Sequence, residues 1–278
     1  MRNKFKFFGI IAIVIVIGSA ILACDTGGDL TPIDYNYVNF TISIPTADEE
    51  AIAMLNYLKG IKWFDDNGYT ITLPNTSEIN AALNKLRAGN SLTSAEETNL
   101  KNHFINDIYN YSDYIASYNT LGKALQTADE LISRFTPYKQ AWDFYIPAEY
   151  EVQLTLYGPG GSYFFHKAEN TGGMLIKVNR ANNYWNNGNF APLAVVLHEI
   201  VHIGIETVII EEYDIPQGVK ERIVDNVVLL LFADIKNSHF PNYTKQNIGG
   251  DYSIDAIFTD ISVLNNLPTA VGTFLGKI

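Results

Sequence analysis

Hydrophobic and polar positions along the chain change period several times, and each change marks an element. Asn39-Phe-Thr-Ile-Ser-Ile44 alternates and predicts a strand. Thr46-Ala-Asp-Glu-Glu50 has the residues of a helix start and leads into an apolar-periodic run to Lys59. Tyr69 to Leu73 alternates again and predicts a second short strand. From Ser77 to about Phe135 the period is helical, with Ser77 and Thr93 as caps and Gly89-Asn90 and Gly122 as breaks. Glu151 to Leu156 and Gly173 to Val178 read as strands flanking the Gly-rich stretch Tyr157 to Tyr163, a long turn or part of a cleft wall.

The longest apolar run outside the amino terminus goes from about Pro192 to Glu212, with Pro192 suited to a first helical turn. Pro216 and Gly218 interrupt it, and a second apolar-periodic segment runs from about Val219 to Asp234. Tyr252 to Leu264 adds further cover. The pattern predicts an α+β fold, with a small, mostly antiparallel sheet packed on the long helix. Residues 38–150 form a mainly helical amino-terminal subdomain without a chemical motif, and residues 151–278 form the site-bearing domain.

The chemistry lies inside the long helix. His198-Glu199-Ile-Val-His202 sets two imidazoles four residues apart, one above the other on a helix face, so both can reach one metal ion. Glu199 projects about 100° away, where a carboxylate can act as a base without capping the metal. A helix–turn–helix return brings Glu221 back toward this face as the natural third ligand, with Asp225 one turn later to accept a free imidazole N–H. Asp225 as the ligand in place of Glu221 is the alternative. Glu206 continues the row but lies about 12 Å along the axis from His198, too far to share its ion.

His-Glu-x-x-His followed some twenty residues later by Glu-x-x-x-Asp resembles the gluzincin pattern of thermolysin-like metallopeptidases, over roughly residues 190 to 235. The resemblance implies a zincin-like fold, Zn2+ held by His198, His202 and Glu221, Glu199 as general base, and Asp225 orienting a ligand histidine. It further implies hydrolysis of a peptide or protein substrate, with a transition-state donor after the motif; His239, Tyr243 and Tyr213 are candidates. In zincins, a strand placed like Gly173 to Val178 forms the edge that pairs with an extended substrate. Gly172-Gly173-Met174 is similar to the amine-gripping stretch of gluzincin aminopeptidases, but Leu175-Ile176 replace its Glu-Asn, which argues against an aminopeptidase. The alternative reading is a non-catalytic lipoprotein that uses a zincin scaffold to bind an envelope or extracellular partner. Such a module has no use for Glu199.

Arg2, Lys4 and Lys6, then the apolar run Phe7 to Ala20, then Ile21-Leu-Ala-Cys24 have the layout of a lipoprotein signal peptide spanning residues 1–23. Cys24, the only cysteine, would carry the lipid, which leaves no thiol for a disulfide or a Cys metal ligand. Residues 24–37 read as a tether, able to extend up to roughly 40 Å. Removing the three basic signal residues takes the formal net charge from −11 to −14, which argues against nucleic acid as a partner. The expected location is the cell envelope, outside the cytoplasm. A Cys24→Ser chain exported on an ordinary secretion signal should move from the membrane to the soluble fraction. A Cys24→Ala protein still tightly membrane-bound after signal cleavage would refute the anchor.

Overall fold

Thr46 starts the first helix by the means its sequence predicts. Its hydroxyl accepts from the Glu49 N–H at 3.3 Å, and the Glu49 carboxylate accepts from the Thr46 N–H at 2.8 Å. The computed structural model describes residues 32–33, 37–178, 191–248 and 252–278, so the expected signal peptide, Cys24 and most of the expected tether lie outside the described residues. The chain runs β1 (Phe40–Ser43), α1 (Ala47–Lys59), α2 (Ile61–Asp66), α3 (Ser77–Arg87), α4 (Ser94–His103), α5 (Ser112–Leu131) and α6 (Thr136–Trp142). It continues through β2 (Glu149–Thr155), β3 (Gly161–His166), β4 (Thr171–Lys177), α7 (Pro192–Ile205), α8 (Gln217–Leu231), α9 (Ala233–His239) and α10 (Leu267–Phe274). Two 3₁₀ turns, Tyr252–Ile257 and Ile261–Asn266, make up the expected carboxy-terminal cover.

Some local signals hold and others do not. Thr93 caps α4 with a full capping box through Glu96, but Thr76, not Ser77, caps α3. Gly122 breaks nothing; it lies buried within α5, and its carbonyl accepts the Tyr37 hydroxyl at 3.0 Å. Tyr69 to Leu73 forms no strand, only a bridge in which Thr72 and Gly158 exchange backbone hydrogen bonds of 2.8 and 2.9 Å.

The sheet corrects the expected topology. Its order is β1-β2-β4-β3; β1 pairs with β2 and β2 with β4 in parallel, and only β3 is antiparallel, to β4. The sheet is therefore not mostly antiparallel. The cause is β3, whose first residues lie in the Gly-rich stretch that reads as turn. Because β3 runs back along the outer side of β4, β2 and β4 are left side by side in the same direction. β4 is thus internal, and all of its residues after Thr171 are buried, as a strand covered on both faces requires. The edge on this side of the sheet is β3.

α7 packs on β3 and β4 and against α5 and α8. Every residue from Leu193 to Ile205 is buried. The stretch Pro192–Glu211 is long and apolar enough to cross a membrane, but most of it is buried in this core. Gly204 allows that packing, since a Cβ there would lie 1.9 Å from Cζ of Phe144, whose ring stacks on Phe135. The boundary expected at residue 150 falls inside β2, and Phe40 of β1 stacks on Tyr150 at 5.2 Å. One continuous hydrophobic cluster runs from Phe40 to Val271, across both expected subdomains.

Glu50 is a buried acid at the junction of α1, α5 and β2. Its Oε1 accepts from the Tyr114 hydroxyl at 2.9 Å, the Thr155 hydroxyl at 3.0 Å and the Leu156 N–H at 2.7 Å. Burial outweighs these bonds and pushes its carboxyl up from 4.5 to about 7. Between those values the folded chain holds a proton that the unfolded chain releases, so stability falls as pH rises through this window. Glu50→Gln keeps the acceptor oxygen and buries no charge. It should match the wild type near pH 5 and exceed it by up to about 3 kcal/mol above pH 7 in urea melts. Equal pH dependence in the two proteins would refute the assignment.

Candidate metal centre

α7 carries its polar residues where the helix is most deeply buried. His198 and His202 lie one turn apart and their Nε2 atoms approach to 3.0 Å. α7 runs on into a π-helical turn, Glu206–Glu211, and the chain then turns at Asp214, with φ of +50°, and Pro216. α8 packs back against α7 and presents Glu221, whose Oε2 lies 3.1 Å from Nε2 of His198 and 3.3 Å from Nε2 of His202. These three buried donors form the only cluster among the described residues with metal-ligand geometry.

The fit to a metal can be judged from the triangle itself. Donors around a tetrahedral ion at about 2.0–2.1 Å stand ~3.3 Å apart, close to the three separations here. Two imidazole nitrogens and a carboxylate oxygen facing one another each offer a lone pair to an ion, and ring protons can satisfy at most part of such a set; a cation satisfies it all. Among the described residues, Nδ1 of His202 is buried without a hydrogen-bond partner, and what holds that ring from behind is stacking. The ring of Tyr163 supplies that stacking at 4.7 Å and 7°.

Each donor is prepared by its surroundings. His198 is held from behind by Asp225, whose Oδ1 lies 3.2 Å from Nδ1 and also accepts the Tyr243 hydroxyl at 2.6 Å. Burial disfavours the charged imidazole, but hydrogen bonds to Asp225 and Glu221 outweigh it and raise His198 well above 6.5. Burial lowers His202 to about 4, keeping a lone pair for a ligand bond. For Glu221, burial is overcome by the two histidines, which hold the carboxyl well below its ordinary range. Its other oxygen, Oε1, accepts from Gln217 at 2.5 Å and from the Tyr69 hydroxyl at 3.1 Å.

Glu199 lies on the same helix but outside the donor triangle, and burial pushes it up to about 7. Its carboxylate is pressed against the start of β3, since a Cβ at Gly161 would lie 2.2 Å from Glu199 Oε1. The Gly-rich stretch is thus partly a wall of the site. Glu206 serves Tyr163, whose hydroxyl donates to it at 2.5 Å and accepts from Nζ of Lys220 at 3.0 Å.

The structure separates the remaining expected residues. Asp225 faces Nδ1 of His198 and not the triangle, which leaves Glu221 as the third donor. Tyr243 is buried behind His198 on the Nδ1 side, where its hydroxyl lies 3.0 Å from Nδ1, on the opposite side of the ring from the donor nitrogen. Tyr213 packs its hydroxyl against Gly272 of α10, and His239 is at the exposed end of α9; neither meets the triangle. The side chain that does meet it is Gln246, with Nε2 3.3 Å from Nε2 of His198 and 3.4 Å from Oε2 of Glu221. Gln217 could have been found by its spacing of four from Glu221, and Gly161 by its Gly-rich context. Tyr69, Tyr163, Lys220 and Gln246 have no motif to find. A cleft of about 340 Å³ lies beyond Tyr69, between α2, α3 and the segment up to Asn75, and none of the donors lines it.

Comparison with protein-family models, curated proteins and solved structures finds no match for this chain.

A divalent ion that binds only the folded triangle must stabilise the fold. Zinc at about a hundred times its dissociation constant should raise the melting temperature by about 5–10 °C, and a chelator should reverse the gain. Glu221→Ala should abolish the shift. Identical melting of the wild type with and without metal would remove the centre.

Proposed function

We propose that the chain is a zinc-dependent peptidase of the gluzincin type, acting on a peptide or protein substrate outside the cytoplasm. The observation that carries this reading is the one acid of α7, Glu199. Three donors are enough to hold an ion, and a purely structural or binding site needs no further carboxylate. Glu199 is nevertheless buried on the same helix, beside the donors and not among them, against a residue with no side chain.

When bound by His198, His202 and Glu221, zinc supplies Lewis acidity that polarises a scissile carbonyl. Glu199 takes a proton from the attacking water and returns it to the leaving amine. Asp225 and Tyr243 hold the His198 ring in the orientation that presents Nε2, and Tyr163 does the same for His202 by stacking. Gln217 and Tyr69 occupy Glu221 Oε1, so that only Oε2 is directed at the donors. β3, the edge strand on the site side among the described residues, would offer its outer backbone groups to an extended substrate next to Glu199. That role passes to β3 from the Gly173 to Val178 segment, which is internal. Lipid on Cys24 would confine the enzyme to substrates close to the membrane.

Glu199→Gln preserves size and leaves the three donors in place. It should bind zinc in the same stoichiometry as the wild type while losing at least about 10²–10⁴-fold in hydrolysis of a quenched-peptide library. Full activity in this variant would sink the mechanism. Stoichiometric zinc with no turnover of any peptide by the wild type would favour the non-catalytic scaffold.

A further inference from the structure

The segment after α9 brings a fourth polar side chain to the donor triangle. Its position is built, since Gln246 is tied to α8 through both backbone groups. The Gln246 N–H donates to Asp225 Oδ2 at 2.5 Å, and its carbonyl accepts from Nη1 of Arg222 at 3.1 Å. Arg222 is itself clamped by Asp255, with contacts of 2.7 to 3.1 Å. The helix that supplies Glu221 therefore also fixes where the Gln246 side chain begins.

The terminal atom of that side chain has the spacing of a ligand. It lies 3.3 and 3.4 Å from Nε2 of His198 and Oε2 of Glu221, and the three donors lie 3.0, 3.1 and 3.3 Å from each other. These five separations are each close to the ~3.3 Å that separates neighbouring donors around an ion with ligand distances of about 2.0–2.1 Å. A residue that hydrogen-bonds to a substrate oxygen would stand one hydrogen bond further out, not at ligand-to-ligand distance from two donors. A carboxamide presents either of two atoms by turning about its last torsion. Toward bare lone pairs it donates through Nε2; toward a cation it presents Oε1.

We propose that Gln246 is a fourth protein ligand of the metal, through Oε1, and closes the site until an incoming ligand displaces it. This rests on the metal-centre reading of the proposed function. It also gives that enzyme a capped resting state, in which the coordination position needed for substrate is held by a neutral donor that an incoming group can replace.

Cobalt(II) loaded into the full folded chain tests this without reference to activity. Relative to the wild type, Gln246→Ala should change the visible spectrum of the bound cobalt and weaken its retention against a chelator by about tenfold. Azide should bind to the variant's cobalt about tenfold more tightly, because no amide has to leave. Gln246→Glu, which keeps an oxygen donor and adds charge, should hold cobalt more tightly than the wild type and resist azide. If both variants match the wild type in spectrum, retention and azide affinity, Gln246 is not a ligand and the three-donor centre survives. If the wild type and both variants bind no cobalt or zinc, the metal centre falls and this proposal falls with it.

Discussion

A helix buried on every side has no water with which to solvate polar groups, and α7 places two imidazoles and a carboxylate in that position. Isolated, each would forfeit several kcal/mol of solvation. The arrangement holds because α8 packs against α7 with Glu221 and Asp225 aimed at the histidines. The contact between these two helices is electrostatic at its centre and apolar around it. Other parts of the fold follow from keeping it dry. β3 and β4 cover α7 from one side, α5 packs against it as well, and Gly204 lets Phe144 approach it closely.

Around the donor triangle, successive side chains remove alternatives from one another. Asp225 fixes His198, and Tyr243 and the Gln246 N–H fix Asp225. Gln217 and Tyr69 fix Glu221, and Tyr163, held by Glu206 and Lys220, lies flat on His202. Of the three donors, His202 alone has no polar partner behind it among the described residues. The centre therefore has an asymmetric support: one imidazole is set by a carboxylate, the other by a stacked ring.

The sequence was most readable where one helix carries the information. Spacing alone put His198 over His202 and separated Glu199 from them, and the Pro216-Gln217-Gly218 turn predicted that Glu221 would return to the same face. It was least readable where distant segments meet. No local signal could bring Gln246 to His198, because that contact depends on two backbone hydrogen bonds to residues some twenty positions earlier. The sheet failed for a related reason. β3 begins with Gly161-Ser162 and continues with Tyr163-Phe164-Phe165, a pattern without alternation, so its strand geometry comes from pairing with β4 and not from its own composition. Missing that one strand inverted the predicted direction of the sheet. The pairing of β1 with β2, more than a hundred residues later, likewise had no local signal.

The strand order also sets where the chain can be held. β1, the first element after the tether segment, forms one rim of the sheet, while β3 and Glu199 lie at the opposite rim. With strands about 4.8 Å apart, three spacings put roughly 14 Å of sheet between the leash's point of entry and the rim beside the donors. A chain leashed at Cys24 would thus be gripped on one side and open on the other. Pulling on the leash would load the hydrogen bonds that Ile33, Tyr37, Val38 and Asn39 make to α5, then β1, and leave the rim beside the donors clear of the attachment.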